Sequence, residues 1–246
     1  MSDQRQTAAV VVGVGPQRGL GAALARRFAA EGRVVFIAGR TEARLRLIEE
    51  EIRKLGGVAV SLVTDASNSF QVESLFDAVD SSGLALDLVA CTVDRNLAAG
   101  LLETEVEMFS ALWEANCLAA FLVGKAAVAR MQRQGFGTLI FTGASASLRA
   151  RPPFTAFASA KFALRALAQG MAREFGPQGV HVIHVVLDGV IDGDRARRQF
   201  PEVVAAKGES GLLKPESIAD IYWRLHCQPP DAWTHEMDIR PYKEGF

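Results

Sequence analysis

Short apolar runs alternate with amphipathic segments along most of this chain, and that alternation limits its possible folds more than any other feature. The apolar runs are rich in valine, isoleucine and leucine and have the length of buried strands. They span residues 8–14, 34–38, 58–63, 86–91, 138–142 and 180–187. The segments between most of them carry apolar residues three and four positions apart, which predicts helices. The clearest predicted helices cover residues 20–31, 42–55 and 72–80.

Buried strands that alternate with helices predict a parallel sheet covered on both faces, because right-handed crossovers place helices on each side. We therefore expect an α/β fold, a Rossmann-type doubly wound parallel sheet, in a single domain over residues 1–246. No internal repeat and no linker-like change in composition occurs before about Asp192. A polar and basic stretch then precedes a further helical pattern at 215–227, and it predicts a substrate lid around 192–214.

Charge and composition exclude several classes of partner. The formal net charge is −1 and 49% of the residues are hydrophobic, so we expect no nucleic acid and no membrane as partner. The polar N-terminus lacks the pattern of a signal peptide, which predicts a cytoplasmic protein. The three cysteines lack CxxC spacing and the four histidines lack metal-ligand spacing, so we assign no disulfide framework and no metal.

A glycine-rich turn follows the first predicted strand and precedes the first predicted helix. Its sequence is Gly13-Val14-Gly15-Pro16-Gln17-Arg18-Gly19-Leu20-Gly21. Glycine lets the backbone approach a pyrophosphate closely, and the following helix N-terminus offers unpaired N–H groups and a positive dipole end. The order of elements indicates a dinucleotide site, although a tight strand-to-helix turn also needs glycine when no ligand binds.

The spacing of Gly15, Gly19 and Gly21 is the GxxxGxG of the short-chain dehydrogenase/reductase family, which this chain resembles over nearly its whole length. Lys161 matches the lysine of the family's YxxxK motif, but Phe157 stands at the tyrosine, as in a divergent branch with FxxxK. The resemblance implies an oxidoreductase that transfers a hydride between a nicotinamide cofactor and a small carbonyl, alcohol or activated alkene.

The end of the second predicted strand indicates which cofactor is preferred. Members that prefer NAD carry an acidic residue there for the adenosine ribose, whereas this chain has Arg40. The guanidinium of Arg40 suits a 2′-phosphate, and Arg18 could add a second positive charge, so NADP(H) is favoured over NAD(H). The alternative is that both arginines are solvated surface residues. Asp65 either contacts the adenine, as the resemblance implies, or caps the helix beginning near Asn68. Further cofactor contacts implied by the resemblance come from Lys161, Leu20, Gly189 and Ile191.

The resemblance implies a catalytic set of Asn116, Ser145, Phe157 and Lys161, with Ser145 one residue from the expected spacing. The family mechanism needs a phenol whose pKa is lowered by the neighbouring ammonium, and phenylalanine has no such proton. General acid–base catalysis contributes about 10²- to 10⁴-fold, so we expect reduced rather than absent activity. Lys161 could orient a water that donates the proton, or Ser145 or Asp94 could donate it.

Three functions fit these features. The first is an NADP(H)-dependent oxidoreductase with an atypical proton donor, acting on a small-molecule substrate. The second is a catalytically impaired NADP(H)-binding sensor or structural partner of an active homologue, and the third is an enzyme whose reaction involves no net redox change. Family members commonly form dimers and tetramers, and the aromatic tail at 233–246 would expose apolar area if free, so we expect a homodimer or homotetramer.

Overall fold

One parallel sheet forms the centre of the protein in the computed structural model, which describes residues 6–245. Its strands are β1 Thr7–Val12, β2 Val34–Gly39, β3 Val58–Val63, β4 Ala85–Cys91, β5 Gly137–Ala144, β6 Val180–Leu187 and β7 Glu236–Ile239. Their order across the sheet is β3-β2-β1-β4-β5-β6-β7, with every neighbouring pair parallel. The order reverses between β1 and β4, and open α/β sheets bind ligands at such a switch point. The predicted doubly wound fold is confirmed.

Helices cover both faces of the sheet. They are α1 Leu20–Ala30, α2 Glu42–Lys54, α3 Ser69–Ser81, α4 Val106–Trp113, α5 Ala119–Gln134, α6 Thr155–Phe175, α7 Asp194–Gln199, α8 Pro201–Lys207 and α9 Pro215–His226. Because successive strand residues point to opposite faces, Val10 and Val12 join the core under α3, α5 and α6. Val11 joins the core under α1, α2 and α9, which explains why β1 is apolar at every position from Ala8 to Val12.

A long helical run crosses one face of the sheet. It extends over Val106–Gln134 and consists of α4, a π-helical turn at Glu114–Leu118 and α5. Among residues 6–245, this run alone is long and apolar enough to span a membrane, judged by length and composition. Its α5 part packs Val123 and Ala127 against β4 and β5, so it serves as a core helix of the sheet.

Two regions have more secondary structure than the sequence pattern predicts. The predicted lid contains α7, α8 and a 3₁₀ turn at Glu209–Gly211. The aromatic tail includes β7, and its Trp233 ring stacks on His181 with centroids 4.6 Å apart. Tyr242 remains exposed, and Phe246 lies outside the described residues. These short elements carry too few residues for a periodic signal, and tertiary contacts hold them in place.

Candidate active site

The glycine turn is held by backbone contacts at the switch point. The N–H groups of Gly13 and Val14 both donate to the Ala38 carbonyl, at 3.0 and 2.9 Å. A Cβ on Gly21 would lie 2.9 Å from Cα of Val14, so this glycine lets α1 pack close to the turn. A Cβ on Gly15, in contrast, would have no heavy atom within 4 Å, so the turn faces open space there.

The first turn of α1 carries no anionic side chain of its own. Gly19 precedes the helix in an extended conformation and provides no side-chain cap, and the first turn contains no acidic residue. The first N–H groups of a helix, here from Leu20 onward, have no partner within the helix. Backbone donors beside open space form a cradle that fits an anionic group such as a pyrophosphate.

Arg40 and Asp65 lie at neighbouring strand ends, after β2 and β3. Arg40 is exposed, and its charge contributes to lowering the pKa of Asp65. The Ser67 hydroxyl is the main cause of that lowered pKa, and it donates to Oδ1 of Asp65 at 2.6 Å. Asn68 caps α3 through Gln71, so the alternative that Asp65 caps this helix is wrong. An adenine contact by Asp65 stays a prediction.

The predicted lid rests on the glycine turn. The N–H of Asp194, the first residue of α7, donates to the Arg18 carbonyl at 3.1 Å, and the Arg18 N–H donates to the Asp194 carboxylate at 3.3 Å. A Cβ on Gly193 would lie only 2.6 Å from the Arg18 carbonyl, so a glycine there permits this close approach. The Arg18 side chain lines a cleft of about 290 Å³ that also contains Asp192 and Arg197. Arg18 therefore lies between the turn and the lid.

Lys161 is a buried cation at the carboxyl ends of β4 and β5. Its side chain is 1% exposed, and Nζ lies 3.1 Å from Oδ1 of Asp94. Nζ also donates to the Thr142 carbonyl at 3.2 Å. An ammonium has three N–H donors, so one is left for another acceptor in the site. The other carboxylate oxygen of Asp94 lies 3.0 Å from Nη1 of Arg195 on α7.

Asp94 is held ionised by these two cations. Burial raises the pKa of Asp94, but the charges and hydrogen bonds of Lys161 and Arg195 outweigh burial and bring the pKa below its ordinary value. The resemblance implies Asn-Asn-Ala-Gly where this chain has Cys91-Thr92-Val93-Asp94, so the carboxylate departs from the family pattern. The sequence shows Asp94 three residues after the end of β4, but it does not show which residues pair with it.

Phe157 lies one helical turn before Lys161 on α6, and Nζ of Lys161 lies 5.6 Å from its ring centroid. The ring is nearly buried, so the position of the family's phenol is filled by an apolar face. The chain has two tyrosines, and neither replaces that phenol. Tyr222 packs in the core on the opposite face of the sheet, where burial raises its pKa, and Tyr242 is exposed near the C-terminus.

Asn116 lies in the π-helical turn and its side chain is 1% exposed. Its amide donates to the carbonyls of Arg95 and Leu112, both at 2.8 Å, and its oxygen accepts from the Arg95 N–H at 3.4 Å. Single π-turns inside α-helices occur frequently at functional sites. In this π-helical turn, Asn116 fixes the loop that follows β4 by bonding to the backbone of Arg95, the residue after Asp94.

Ser145 lies in a 3₁₀ turn after β5, and its hydroxyl contributes to lowering the pKa of Asp188, a residue that sequence reasoning did not assign to the site. Asp188 is 2% exposed and also binds Nη2 of Arg149 and Nη2 of Arg240, each at 2.9 Å. Burial raises the pKa of Asp188, but the Ser145 hydroxyl and Arg149 outweigh it and keep the group ionised. The signal in the sequence was an acidic residue where the resemblance has the proline of Pro-Gly.

Gly189 and Ile191 follow β6 at the base of the lid. A Cβ on Gly189 would lie 2.8 Å from Cδ of Pro241, which requires a small residue there. Ile191 forms a parallel bridge with Leu213, and this bridge joins the two ends of the lid segment. The structure therefore brings Lys161, Phe157 and Asp94 together, and places Ser145 in a second cluster around Asp188. In residues 6–245 no three metal-ligating side chains converge.

Comparisons with known proteins agree with this architecture. The sequence matches the family model described as short chain dehydrogenase over residues 8–202. A crystal structure of a short-chain dehydrogenase from Rhodopseudomonas palustris is 38% identical, with a TM-score of 0.81, and the match covers 96% of this chain and 99% of that one. A short-chain dehydrogenase/reductase of Armillaria gallica is 32% identical over 177 residues, which is 71% of this chain and 67% of that protein.

A more distant structure has the same fold. It is an NADPH-bound short chain oxidoreductase from Pseudomonas aeruginosa PAO1, described as containing an atypical catalytic center. It is 19% identical, with a TM-score of 0.86, and the match covers 97% of this chain and 98% of that one. The sheet order and the glycine turn at the switch point define an oxidoreductase of the dinucleotide-binding α/β class. Within that class, the chain belongs to the short-chain dehydrogenase/reductase family.

Proposed function

We propose that this protein is an NADP(H)-dependent oxidoreductase that interconverts a small carbonyl and its alcohol, or reduces an activated alkene, with Lys161 as the source of the proton. The observation that carries the proposal is the buried Lys161 ammonium, which Asp94 and the Thr142 carbonyl hold beside the Phe157 ring. A buried charge is costly unless it is paired and hydrogen-bonded, and this one is both. The pairing of the buried Lys161 ammonium supports a role for this group in the reaction.

The residues present fit a nicotinamide dinucleotide. The uncapped N-terminus of α1 beside open space at Gly15 fits the pyrophosphate. Arg40, exposed at the end of β2 and next to Asp65, fits a 2′-phosphate, with Arg18 as a second cation. Gly189 and Ile191 would border the nicotinamide. When bound, the cofactor supplies the hydride.

The proton has a route that does not need a phenol. Lys161 keeps one N–H donor beyond those used by Asp94 and Thr142, and this donor can reach a ribose hydroxyl or a water. We propose that Lys161 donates through that water to the substrate oxygen, while Asn116 holds the loop after β4 in place. Ser145 would orient the substrate oxygen through its hydroxyl, close to the ionised Asp188.

A second candidate is an NADP(H)-binding sensor or structural partner without turnover. It is favoured by the same Asp94–Lys161 pair, since the carboxylate occupies one donor of the ammonium in a site without a phenol. The two candidates differ in one respect. The oxidoreductase turns over with Phe157 in place, whereas the sensor does not.

The deciding experiment compares the wild type with Phe157→Tyr. NADPH and NADH are first titrated, and turnover is then measured with a panel of carbonyls and alcohols. We expect tight NADPH binding and wild-type turnover, which the tyrosine changes by less than about tenfold because a proton donor is already present. Phe136→Tyr adds the same hydroxyl at an exposed position before β5 and serves as the control.

Other outcomes separate the alternatives. Turnover that appears only in Phe157→Tyr supports the sensor or partner. Absence of binding of either cofactor contradicts both candidates.

We also propose that the protein forms a homo-oligomer through the helical face of α4, α5 and α6. Phe109 and Trp113 lie four residues apart on α4 and are 44% and 41% exposed. Phe121 on α5 and Phe162 on α6 are exposed to a similar degree, and α4 packs beside α6. A surface with several large aromatic residues is typical of a protein interface. A monomer at micromolar concentration in light scattering would contradict this proposal.

A further inference from the structure

Asp94 lies between two cations that come from distant parts of the chain. Its Oδ1 lies 3.1 Å from Nζ of Lys161 on α6, and its Oδ2 lies 3.0 Å from Nη1 of Arg195 on α7. Each carboxylate oxygen therefore serves one cation. The two cations belong to different parts of the site, since Lys161 faces the Phe157 ring and Arg195 belongs to the lid.

The backbone on both sides of Asp94 is fixed. Before it, the N–H and the hydroxyl of Thr92 both donate to the Val12 carbonyl, at 2.8 and 3.0 Å. After it, the backbone of Arg95 is bonded through both its N–H and its carbonyl to the buried Asn116. A carboxylate on a fixed loop can hold its partners in place, whereas one on a free loop would follow them.

Lys161 depends on this carboxylate for its position. In a site with a phenol, the ammonium would have that phenol as a neighbour, but here the neighbouring ring of Phe157 has no polar atom. Among the partners that the described residues provide, Asp94 supplies the opposite charge and the Thr142 carbonyl supplies a neutral acceptor. A lysine side chain has four rotatable carbon–carbon bonds, and a charged acceptor restricts their rotation.

The lid depends on the same carboxylate. At the start of α7, the N–H and the carboxylate of Asp194 bond to the backbone of Arg18, and Arg195 forms an ion pair with Asp94. This ion pair reaches across the mouth of the site, from α7 to the loop after β4. The lid therefore contacts both the glycine turn and the carboxylate that pairs with Lys161.

We propose that Asp94 is a positioning residue that fixes the Lys161 ammonium in a site without a phenol and ties the lid to that ammonium through Arg195. The part concerning Lys161 rests on the proposed function, because it assigns proton transfer to this lysine. The part concerning the lid does not depend on turnover. Movement of the lid and the orientation of Lys161 are then coupled through one carboxylate.

The first test measures hydrogen exchange of the backbone amides of residues 194–211 in the protein without cofactor. Asp94→Asn and Arg195→Gln should each speed exchange about 1.5- to 5-fold, as expected for loss of a partly exposed ion pair. The double variant should exchange no faster than the quicker single variant. Arg197→Gln is the matched control, since Arg197 lies on α7 but pairs with Asp192, and its effect should add to that of Asp94→Asn. If residues 194–211 of Asp94→Asn exchange at the wild-type rate, Asp94 does not hold the lid.

The second test measures the coupling between Asp94 and Lys161. In a cycle of Asp94→Asn, Lys161→Met and the double variant, the unfolding equilibrium constants should be non-additive by about tenfold. In steady-state kinetics with NADPH, Asp94→Asn should lower kcat about tenfold and change KM for the carbonyl less than about twofold. Additive stabilities or an unchanged kcat would overturn the positioning role. If the wild type shows no turnover, the proposed function fails, while the exchange and stability cycles still decide the role of Asp94.

Discussion

The two halves of the sheet differ in how their sites are built. The half from β1 to β3 carries the cofactor turn, and among its described residues only Thr64 is a buried polar side chain. The half from β4 to β7 carries the candidate catalytic groups and contains nine of the ten buried polar or charged residues described. They are Asp87, Asn116, Thr138, Thr142, Ser147, Lys161, His181, His184 and Asp188. The first site consists of backbone donors with exposed charged side chains beside them, and the second consists mainly of buried polar side chains.

This difference explains why one half resembles its family more closely than the other. Backbone N–H groups at a helix N-terminus bind an anion whatever the neighbouring side chains are, provided that glycine allows close approach. A catalytic constellation of side chains changes its chemistry with every substitution. Phe157, Asp94 and Asp188 all lie in the second half, and each replaces the residue type that the resemblance implies.

The largest effect expected from the comparison is that of Lys161→Met. The variant keeps an unbranched apolar side chain of similar length but removes the ammonium from the second half. We expect kcat to fall about 10²- to 10⁴-fold at saturating NADPH, since general acid catalysis is worth that much. Lys54→Met, at the end of α2 and exposed, is the control and should keep the wild-type rate. A wild-type rate in Lys161→Met would mean that the side chains of the second half do not carry the chemistry.

The second expected effect is a pH dependence of the free energy of unfolding, and it arises from His184 on β6 in the second half. Burial lowers the pKa of His184 to about 4, from an ordinary value of 6.5. Between those values the unfolded state binds the proton and the folded state does not, so stability rises with pH across this window. We expect His184 alone to lower the free energy of unfolding by about 3 kcal/mol as pH drops from 7 to 4.

The matching variant is His184→Gln, followed by chemical denaturation at each pH. It should unfold more readily at pH 7, because the bond to Glu236 is changed, but its stability should vary less with pH. His181 also has a pKa lowered by burial, so part of the slope will remain. A slope equal to that of the wild type would show that His184 does not titrate in this window.

The smallest effect is expected for a side chain of the first half. Arg40→Asp should weaken NADPH binding about 10- to 100-fold, in line with about 1.5–3 kcal/mol for a charge-assisted contact. NADH binding should change less than about threefold, because it carries no 2′-phosphate. Arg53→Asp makes the same charge change near the other end of α2 and should leave both affinities unchanged. Equal losses for NADPH and NADH would contradict the assignment of Arg40 to the phosphate.

The periodicity of the sequence was sufficient for much of the fold. The predicted strands at 58–63 and 180–187 have the observed bounds, and the others differ by one or two residues at an end. The helices α4, α5 and α6 were not given bounds from the sequence, and short elements such as β7 and α7 were not predicted at all. β7 has four residues and α7 has six, which is too few for a periodic pattern. Their positions depend on pairing with β6 and on contacts to the turn, which a local pattern does not contain.

The site was predictable to a lesser extent. Lys161 and Phe157 lie four positions apart on one helix, so their proximity follows from helix geometry. Arg195 lies 101 positions from Asp94, and nothing in the local sequence of either residue indicates the other. The same is true of Asp188 and Arg149, whose side chains meet although 39 positions separate them.

The sequence by itself determined the alternation of strands and helices, the glycine turn, the basic residue after β2 and the absence of a phenol before Lys161. Each of these is a local property, set by the residue types within one or two turns of helix or one strand. Only the tertiary structure decided that the carboxylate of Asp94 holds the lysine and that the lid contacts the same carboxylate. The reason is that the carboxyl ends of parallel strands meet at one edge of the sheet, and the loops that follow them come from across the chain.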